Sequence, residues 1–115
     1  MHNENSFLIS QLNNCAIECN HCYNECLNES DVNMMLRCIE LDRDCADICQ
    51  LTASMLSRGS ELSRQMLEVC AEVCKECADE CAKHSHEHCK MCEETCRKCA
   101  EACSSVDAQR YRQVL

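Results

Sequence analysis

The chain has 115 residues, a formal net charge of −9 and 16 cysteines, but only one glycine, no proline and no tryptophan. This length fits one domain over 1–115, and the abundance of helix formers with few turn residues favours an all-α fold over a sheet. An acidic chain lacks the basic face needed to contact nucleic-acid phosphates or an anionic membrane, so we expect neither as a partner.

The N-terminal segment Met1–Ser6 contains no basic stretch, and no long apolar run follows it. We therefore expect neither a signal peptide nor a membrane span, and we expect a cytoplasmic location. Disulfides are rare in that reducing compartment, where dense cysteine spacing more often indicates metal binding.

The first predicted helix covers about 6–28. Leucines and cysteines recur there at steps of three and four residues, which places them on one face of an α-helix. This stripe consists of Leu8, Leu12, Cys15, Cys19, Cys22 and Cys26. A core-facing stripe that would ordinarily be apolar is thus built largely from thiols.

The second predicted helix covers about 32–57, after a polar break in which Ser30 or Asp31 can serve as N-cap. Its stripe contains Met35, Cys38, Asp42, Cys45 and Cys49. Asp42 stands where the pattern predicts another cysteine, and a hard carboxylate is a poor ligand for a soft metal. We expect Asp42 either to pair with a neighbouring group or to be turned away so that Leu41 faces the core.

The third predicted helix, about 61–83, follows Gly59, which we expect in a left-handed conformation, and Ser60, a candidate N-cap. Its stripe is Leu67, Cys70, Cys74, Cys77 and Cys81, and His84 follows in phase with it. The fourth predicted helix, about 86–104, has the densest stripe, with Cys89, Cys92, Cys96, Cys99 and Cys103.

Very short connections separate these helices, so consecutive helices must run antiparallel. The predicted fold is an antiparallel up-down-up-down four-helix bundle with a cysteine-lined core. One end of the core collects leucines and Val106, and we predict that it is closed. The opposite end, which we call the mouth, collects Met35, His84 and the outermost thiols, so we predict that metal enters there. His86 and His88 belong to the same turn, either as further ligands or as ordinary polar loop residues.

Four chemical interpretations of the thiols compete. Cysteines that merely fill a core would forgo the larger burial of leucine, which contributes about 1.5–3 kcal/mol per side chain. Disulfides require Cα atoms within about 7 Å, whereas facing helices lie about 8–10 Å apart. Zinc sites usually take cysteines from turns that wrap around the metal, and four thiolates per Zn²⁺ leave a net charge that is costly to bury.

Cu(I) fits the same cysteine pattern with a smaller free-energy cost of burying charge. It is a soft ion that prefers thiolate and thioether ligands. Each Cu(I) that displaces one thiol proton leaves the charge of the core unchanged, and thiols at steps of three and four lie close enough to share one ion. We therefore favour a store of many Cu(I) ions, with a zinc or general thiol-rich metal buffer, or an iron–sulfur, ferredoxin-like electron carrier, as alternatives. The sequence contains no motif typical of catalysis, so we expect no enzymatic activity.

The chain resembles the cytosolic branch of the copper storage proteins. The resemblance rests on two Cys-x-x-x-Cys-x-x-Cys-x-x-x-Cys segments at 15–26 and 70–81, on the five cysteines of 89–103 and on the sparser second helix, and it extends over essentially the whole chain. It implies a four-helix bundle that stores many Cu(I) ions for metal homeostasis and assembles as a homotetramer. It also implies that all 16 cysteines bind copper, with Met35 and His84 as further ligands near the open end.

Several apolar residues lie off the stripes and fit poorly on the surface of a monomer. They are Ile17, Leu36, Leu51, Leu62 and Val69. A homo-oligomer formed through helix faces would bury some of them.

Overall fold

The computed structural model of the chain describes the backbone of residues 2–114 and the side chains of residues 5–105. The α-helices are α1 (His2–Leu27), α2 (Leu36–Ser57), α3 (Ser63–Cys81) and α4 (Glu87–Val114), and a 3-10 helix (Val32–Met35) precedes α2. They form a rod of 49 × 19 × 18 Å. The predicted all-α, cysteine-lined four-helix bundle is confirmed.

Each helix lies between two neighbours. Helix α1 packs against α2 and α4, and α3 packs against the same two helices. The connections cover only 28–31, 58–62 and 82–86, which forces each helix to run antiparallel to the one before it. The stripes of all four helices therefore face a common axis, where side chains from diagonally opposed helices also meet.

The second and third helices do not begin as predicted, because Asp31 and Ser60 do not act as their N-caps. Asp31 makes no side-chain hydrogen bond as a cap, and the first turn of the predicted second helix is the 3-10 helix. Gly59 has the predicted left-handed conformation, with φ of 69°. The hydroxyl of Ser60 accepts a hydrogen bond from the Leu62 backbone N–H at 3.1 Å, within a turn, so α3 begins only at Ser63.

The two ends of the core differ in composition. Four leucines are at most 3% exposed at the end opposite the mouth, namely Leu8, Leu12, Leu56 and Leu67. The side chain of Val106, which we also predicted there, lies outside the described residues. At the mouth, the connections 28–31 and 82–86 come together above the outermost thiols. Along the described part of the chain, none of the helices combines the length and the apolar character needed to cross a membrane.

Candidate metal centre

All 16 cysteines lie inside the bundle. Each is a free thiol outside any disulfide, and each is at most 1% exposed. Helix α1 contributes Cys15, Cys19, Cys22 and Cys26, α2 contributes Cys38, Cys45 and Cys49, α3 contributes Cys70, Cys74, Cys77 and Cys81, and α4 contributes Cys89, Cys92, Cys96, Cys99 and Cys103. The predicted stripes therefore converge into one column of thiols along the axis.

Thiols from different helices come close together across the axis. The Sγ atoms of Cys19 and Cys96 are 3.5 Å apart, as are those of Cys49 and Cys70. The Sγ atoms of Cys38 and Cys81 are 3.6 Å apart, near the mouth. A metal held by three or four thiolates at about 2.3 Å separates its sulfurs by about 3.8–4.0 Å. The column is thus already spaced for metal–thiolate coordination, with only small side-chain movements.

The thiols form groups of four that overlap along the axis. Within each group the ligand atoms lie within 4.8 Å of one another. Four such groups are Cys15 with Cys49, Cys74 and Cys99; Cys15 with Cys19, Cys45 and Cys96; Cys19 with Cys77, Cys92 and Cys96; and Cys22 with Cys26, Cys38 and Cys89. Because Cys15, Cys19 and Cys96 each belong to two groups, these positions are not separate tetrahedral sites. They form a continuous array in which one sulfur can bridge two ions.

Asp42 lies within this array. Its side chain is fully buried, and its Oδ1 accepts hydrogen bonds from the thiols of Cys77 at 3.2 Å and Cys92 at 3.5 Å. Burial is the main cause that raises the pKa of Asp42 to about 12, and the neighbouring thiols of Cys92 and Cys77 add to it. Of the two outcomes expected for Asp42, pairing with neighbours is the one observed, while Leu41 is partly buried at the edge of the core.

Burial disfavours charge in this core. Desolvation is the largest cause that raises the pKa of the Cys26 thiol above its usual value. A protonated Asp42 likewise adds no charge to the core. Because an isolated charge is expensive to bury, an ion that replaces protons one for one is the least costly cargo for this interior.

One histidine at the mouth contacts the thiols directly. Nδ1 of His88 lies 3.4 Å from Sγ of Cys22, 3.6 Å from Sγ of Cys89 and 3.9 Å from Sγ of Cys26. The His88 side chain is only 8% exposed. Its imidazole therefore occupies the outer end of the thiol column and offers a nitrogen ligand beside three sulfurs.

Two carboxylates hold the histidines of this turn. Nε2 of His88 lies 2.8 Å from Oε2 of Glu29, which is also 3.4 Å from Nδ1 of His86. Asp31 lies 3.2 Å from Nε2 of His86 through Oδ1, and this hydrogen bond is the main cause that raises the pKa of His86. Asp31 therefore holds the α3–α4 connection to the end of α1 instead of capping a helix.

The predicted ligand His84 has a different environment. Its Nε2 lies 3.0 Å from Oε2 of Glu80, one turn earlier on α3. The other oxygen of Glu80 lies 3.3 Å from Nζ of Lys83 and 3.6 Å from Nε of Arg37. Glu80 is itself buried, so this network fixes α3 to α2 beside the mouth, and the imidazole of His84 belongs to it.

The predicted ligand Met35 is fully buried at the end of the 3-10 helix, whereas the adjacent Met34 is 73% exposed. Met35 is packed into the same core cluster as the thiols. The structure therefore places a thioether inside the mouth and another on its outer surface.

The sequence contained a signal for His88. His88, Cys92 and Cys96 follow one another at steps of four, so that His88 continues the α4 stripe. His84 has the corresponding phase on α3, but α3 ends at Cys81, and helical phase has no meaning beyond the end of a helix. The position of helix ends decides which histidine reaches the thiols.

Comparisons with known proteins agree on one family. The family model described as "Csp: Copper storage protein" matches residues 1–108. A Bacillus subtilis protein described as an uncharacterized cysteine-rich protein, YhjQ, is 42% identical over 76 residues, which cover 66% of this chain and 70% of that protein.

Solved structures are similar over most of the chain. The Cu(I)-bound copper storage protein BsCsp3 is 39% identical, with a TM-score of 0.87 over 90% of this chain and 97% of that one. A cytosolic copper storage protein from Streptomyces lividans, loaded with five coppers, is 41% identical, with a TM-score of 0.88 over 93% of this chain and 94% of that one.

Proposed function

We propose, since the chain belongs to the copper storage protein family, that it stores and buffers Cu(I) by binding many ions to the cysteine thiolates inside the bundle. The observation that carries the proposal is the array of overlapping four-thiol groups in a fully buried core. Discrete tetrahedral sites do not require shared sulfurs, whereas a polynuclear Cu(I)–thiolate array does. The proposed role is storage rather than catalysis.

The charge of the core favours Cu(I) over zinc. A Zn²⁺ ion bound by four thiolates carries a net charge of −2, and several such sites along one axis would accumulate charge that water cannot reach. A Cu(I) ion that replaces one thiol proton adds none. Two related proteins whose structures resemble this one are described as Cu(I)-bound and as loaded with five coppers, which supports the same cargo.

We assign all 16 cysteines as ligands and place entry at the mouth. His88 is the nitrogen ligand that the geometry favours, because its Nδ1 faces Cys22 at 3.4 Å. Met35 and His84 remain predicted ligands from the sequence, and His84 would have to leave Glu80 to take that role. The buried leucines close the opposite end, so loading proceeds from the mouth inwards.

We place this store in the cytoplasm, as its Streptomyces lividans relative is described as cytosolic. We further propose a homotetramer. The five off-stripe apolar residues are all substantially exposed on the single chain, at 46–66%, namely Ile17, Leu36, Leu51, Leu62 and Val69. Light scattering after size-exclusion chromatography tests the tetramer, and a monomer at micromolar concentration would contradict it.

Competition between metals tests the proposed cargo. Apo-protein is incubated anaerobically with excess Zn²⁺ and then with Cu(I), and the bound metals are counted by native mass spectrometry. We expect Cu(I) to displace zinc completely, since soft thiolates select the softer ion. Retention of zinc, with copper excluded, would assign the protein to the zinc-buffer class instead.

A further inference from the structure

The two nitrogens of the His88 ring have different neighbours. Nε2 faces Oε2 of Glu29 at 2.8 Å, whereas Nδ1 faces Sγ of Cys22 at 3.4 Å. An ionised carboxylate only accepts hydrogen bonds, so Nε2 must carry the hydrogen of this pair. In a neutral imidazole the other nitrogen then has a free lone pair, and here that nitrogen is the one directed at the thiols.

Glu29 is itself held in place. Its Oε2 also lies 3.4 Å from Nδ1 of His86, and the rings of His86 and His88 are stacked with centroids 5.3 Å apart and planes within 6°. Asp31 holds the far side of the His86 ring at 3.2 Å. Glu29 and Asp31 of the connection 28–31 therefore form one interlocked group with His86 of the connection 82–86 and His88 in the first turn of α4.

We propose that Glu29 is the positioning residue for copper entry. Its carboxylate fixes the orientation and the tautomer of His88, so that Nδ1 is presented unprotonated to an arriving Cu(I) beside the thiol of Cys22. This inference rests on the proposed function, because it assigns a step to the same mouth. Carboxylates that hold metal-binding histidines in this way also make the ring nitrogen a stronger ligand.

The proposed binding of Cu(I) at His88 and Cys22 leaves the net charge of the site unchanged. Cu(I) leaves its donor, Nδ1 of His88 supplies a lone pair, and the thiol of Cys22 loses one proton to solvent as the sulfur–copper bond forms. The ring keeps its Nε2 hydrogen and its hydrogen bond to Glu29 throughout. No oxidation or reduction is required, and the positive charge that arrives is balanced by the proton that leaves.

A purely structural role for Glu29 predicts a different effect of its removal on stability and copper uptake. In that case the carboxylate would only tie the α1 end to the α3–α4 connection, and its loss would lower stability without acting through His88. A double-mutant cycle separates the two roles, because a positioning residue has no effect on uptake once the residue it positions is absent.

The experiment uses the full apo-chain under anaerobic conditions. Rates of Cu(I) uptake from a chromophoric Cu(I) chelator are measured by stopped flow for the wild type, Glu29→Ala, His88→Ala and the double variant. We expect Glu29→Ala to lower the initial rate of Cu(I) uptake by about 10–100-fold, the usual effect of losing a carboxylate that holds a metal-binding histidine. In the His88→Ala background it should cause no further decrease in this rate. The control is Glu40→Ala, which removes the same charge from an exposed position on α2. Equal slowing in both backgrounds, or by the control, would overturn the proposal.

A second measurement does not depend on copper or on the stability of a variant. Long-range ¹H–¹⁵N NMR of the wild-type apo-protein, recorded above the titration range of ordinary imidazole, at about pH 8, reports which nitrogen of His88 carries the hydrogen. Protonated Nε2 with bare Nδ1 supports the proposal, and protonated Nδ1 overturns it. The total Cu(I) bound by the wild type is read separately: a small total would contradict storage, while the NMR result would still decide the role of Glu29.

Discussion

The carboxyl group of Asp42 lies 3.2 Å from the thiol of Cys77, within the column of buried thiols. Cys92 on the opposite side of the axis lies 3.5 Å from the same oxygen. Asp42 thus joins α2 to both α3 and α4 through hydrogen bonds from thiols. It occupies the place of a cysteine in the α2 stripe without supplying a sulfur, which has consequences for both stability and capacity.

The first prediction concerns pH. Burial raises the pKa of Asp42 to about 12, far above its value in the unfolded chain. Between these two values the folded state holds a proton that the unfolded state has lost, so stability must fall as pH rises, by up to about 1.4 kcal/mol per unit. We expect apo wild type to lose stability from pH 5 to 7.5 in anaerobic denaturant titrations. Asp42→Asn should flatten this slope, and an equal slope in both proteins would show that Asp42 is not buried in its neutral form.

The second prediction concerns capacity. Asp42 shares a four-ligand group with Cys22, Cys81 and Cys92, so a cysteine at this position would complete a ring of thiols. Asp42→Cys should bind about one more Cu(I) than the wild type, because one proton leaves for each ion gained. Asp42→Asn is the matched control and should bind as many ions as the wild type by native mass spectrometry. A loss of several ions in Asp42→Asn would make the carboxylate a ligand in its own right.

The third prediction separates the two histidines of the mouth. His88→Ala removes a nitrogen that faces three thiols. The initial rate of Cu(I) uptake should therefore fall by about tenfold or more, the usual order of the effect when a residue that supports a metal site is removed. His84→Ala breaks the contact with Glu80, so it should lower the free energy of unfolding but leave the initial rate of Cu(I) uptake nearly unchanged. Stopped-flow uptake measures both. If His84→Ala slowed uptake as much as His88→Ala, the ligand role predicted from the sequence for His84 would be supported instead.

The fourth prediction concerns the closed end. Leu67 is fully buried there, and its truncation to alanine should lower the free energy of unfolding of the apo-protein by about 2–5 kcal/mol through lost burial and a cavity. Copper capacity should not change, because no thiol is removed. Gln65→Ala, at an exposed position on the same helix, serves as control and should stay within about 0.5 kcal/mol of the wild type. Reduced capacity in Leu67→Ala would show that this end takes part in binding.

The sequence predicted the core better than the mouth, for a physical reason. Inside a helix, steps of three and four residues determine which face a side chain occupies, so the burial of residues such as Cys19 and Cys74 followed directly from spacing. At the mouth, contacts join residues far apart in the chain. The pairing of Glu29 with His88 spans 59 residues, and no local pattern encodes it. Asp42 was recognised as an interruption, but its thiol partners depend on how three helices meet.

Anaerobic titration of the apo-protein with Cu(I), followed against a strong Cu(I) chelator, tests the central claim most directly. We predict that the protein outcompetes the chelator until it holds on the order of one Cu(I) per thiol, or roughly 16 per chain, because soft bridging coordination lets every sulfur take part. Saturation at about four equivalents or fewer, as isolated tetrahedral sites require, would contradict a polynuclear copper store.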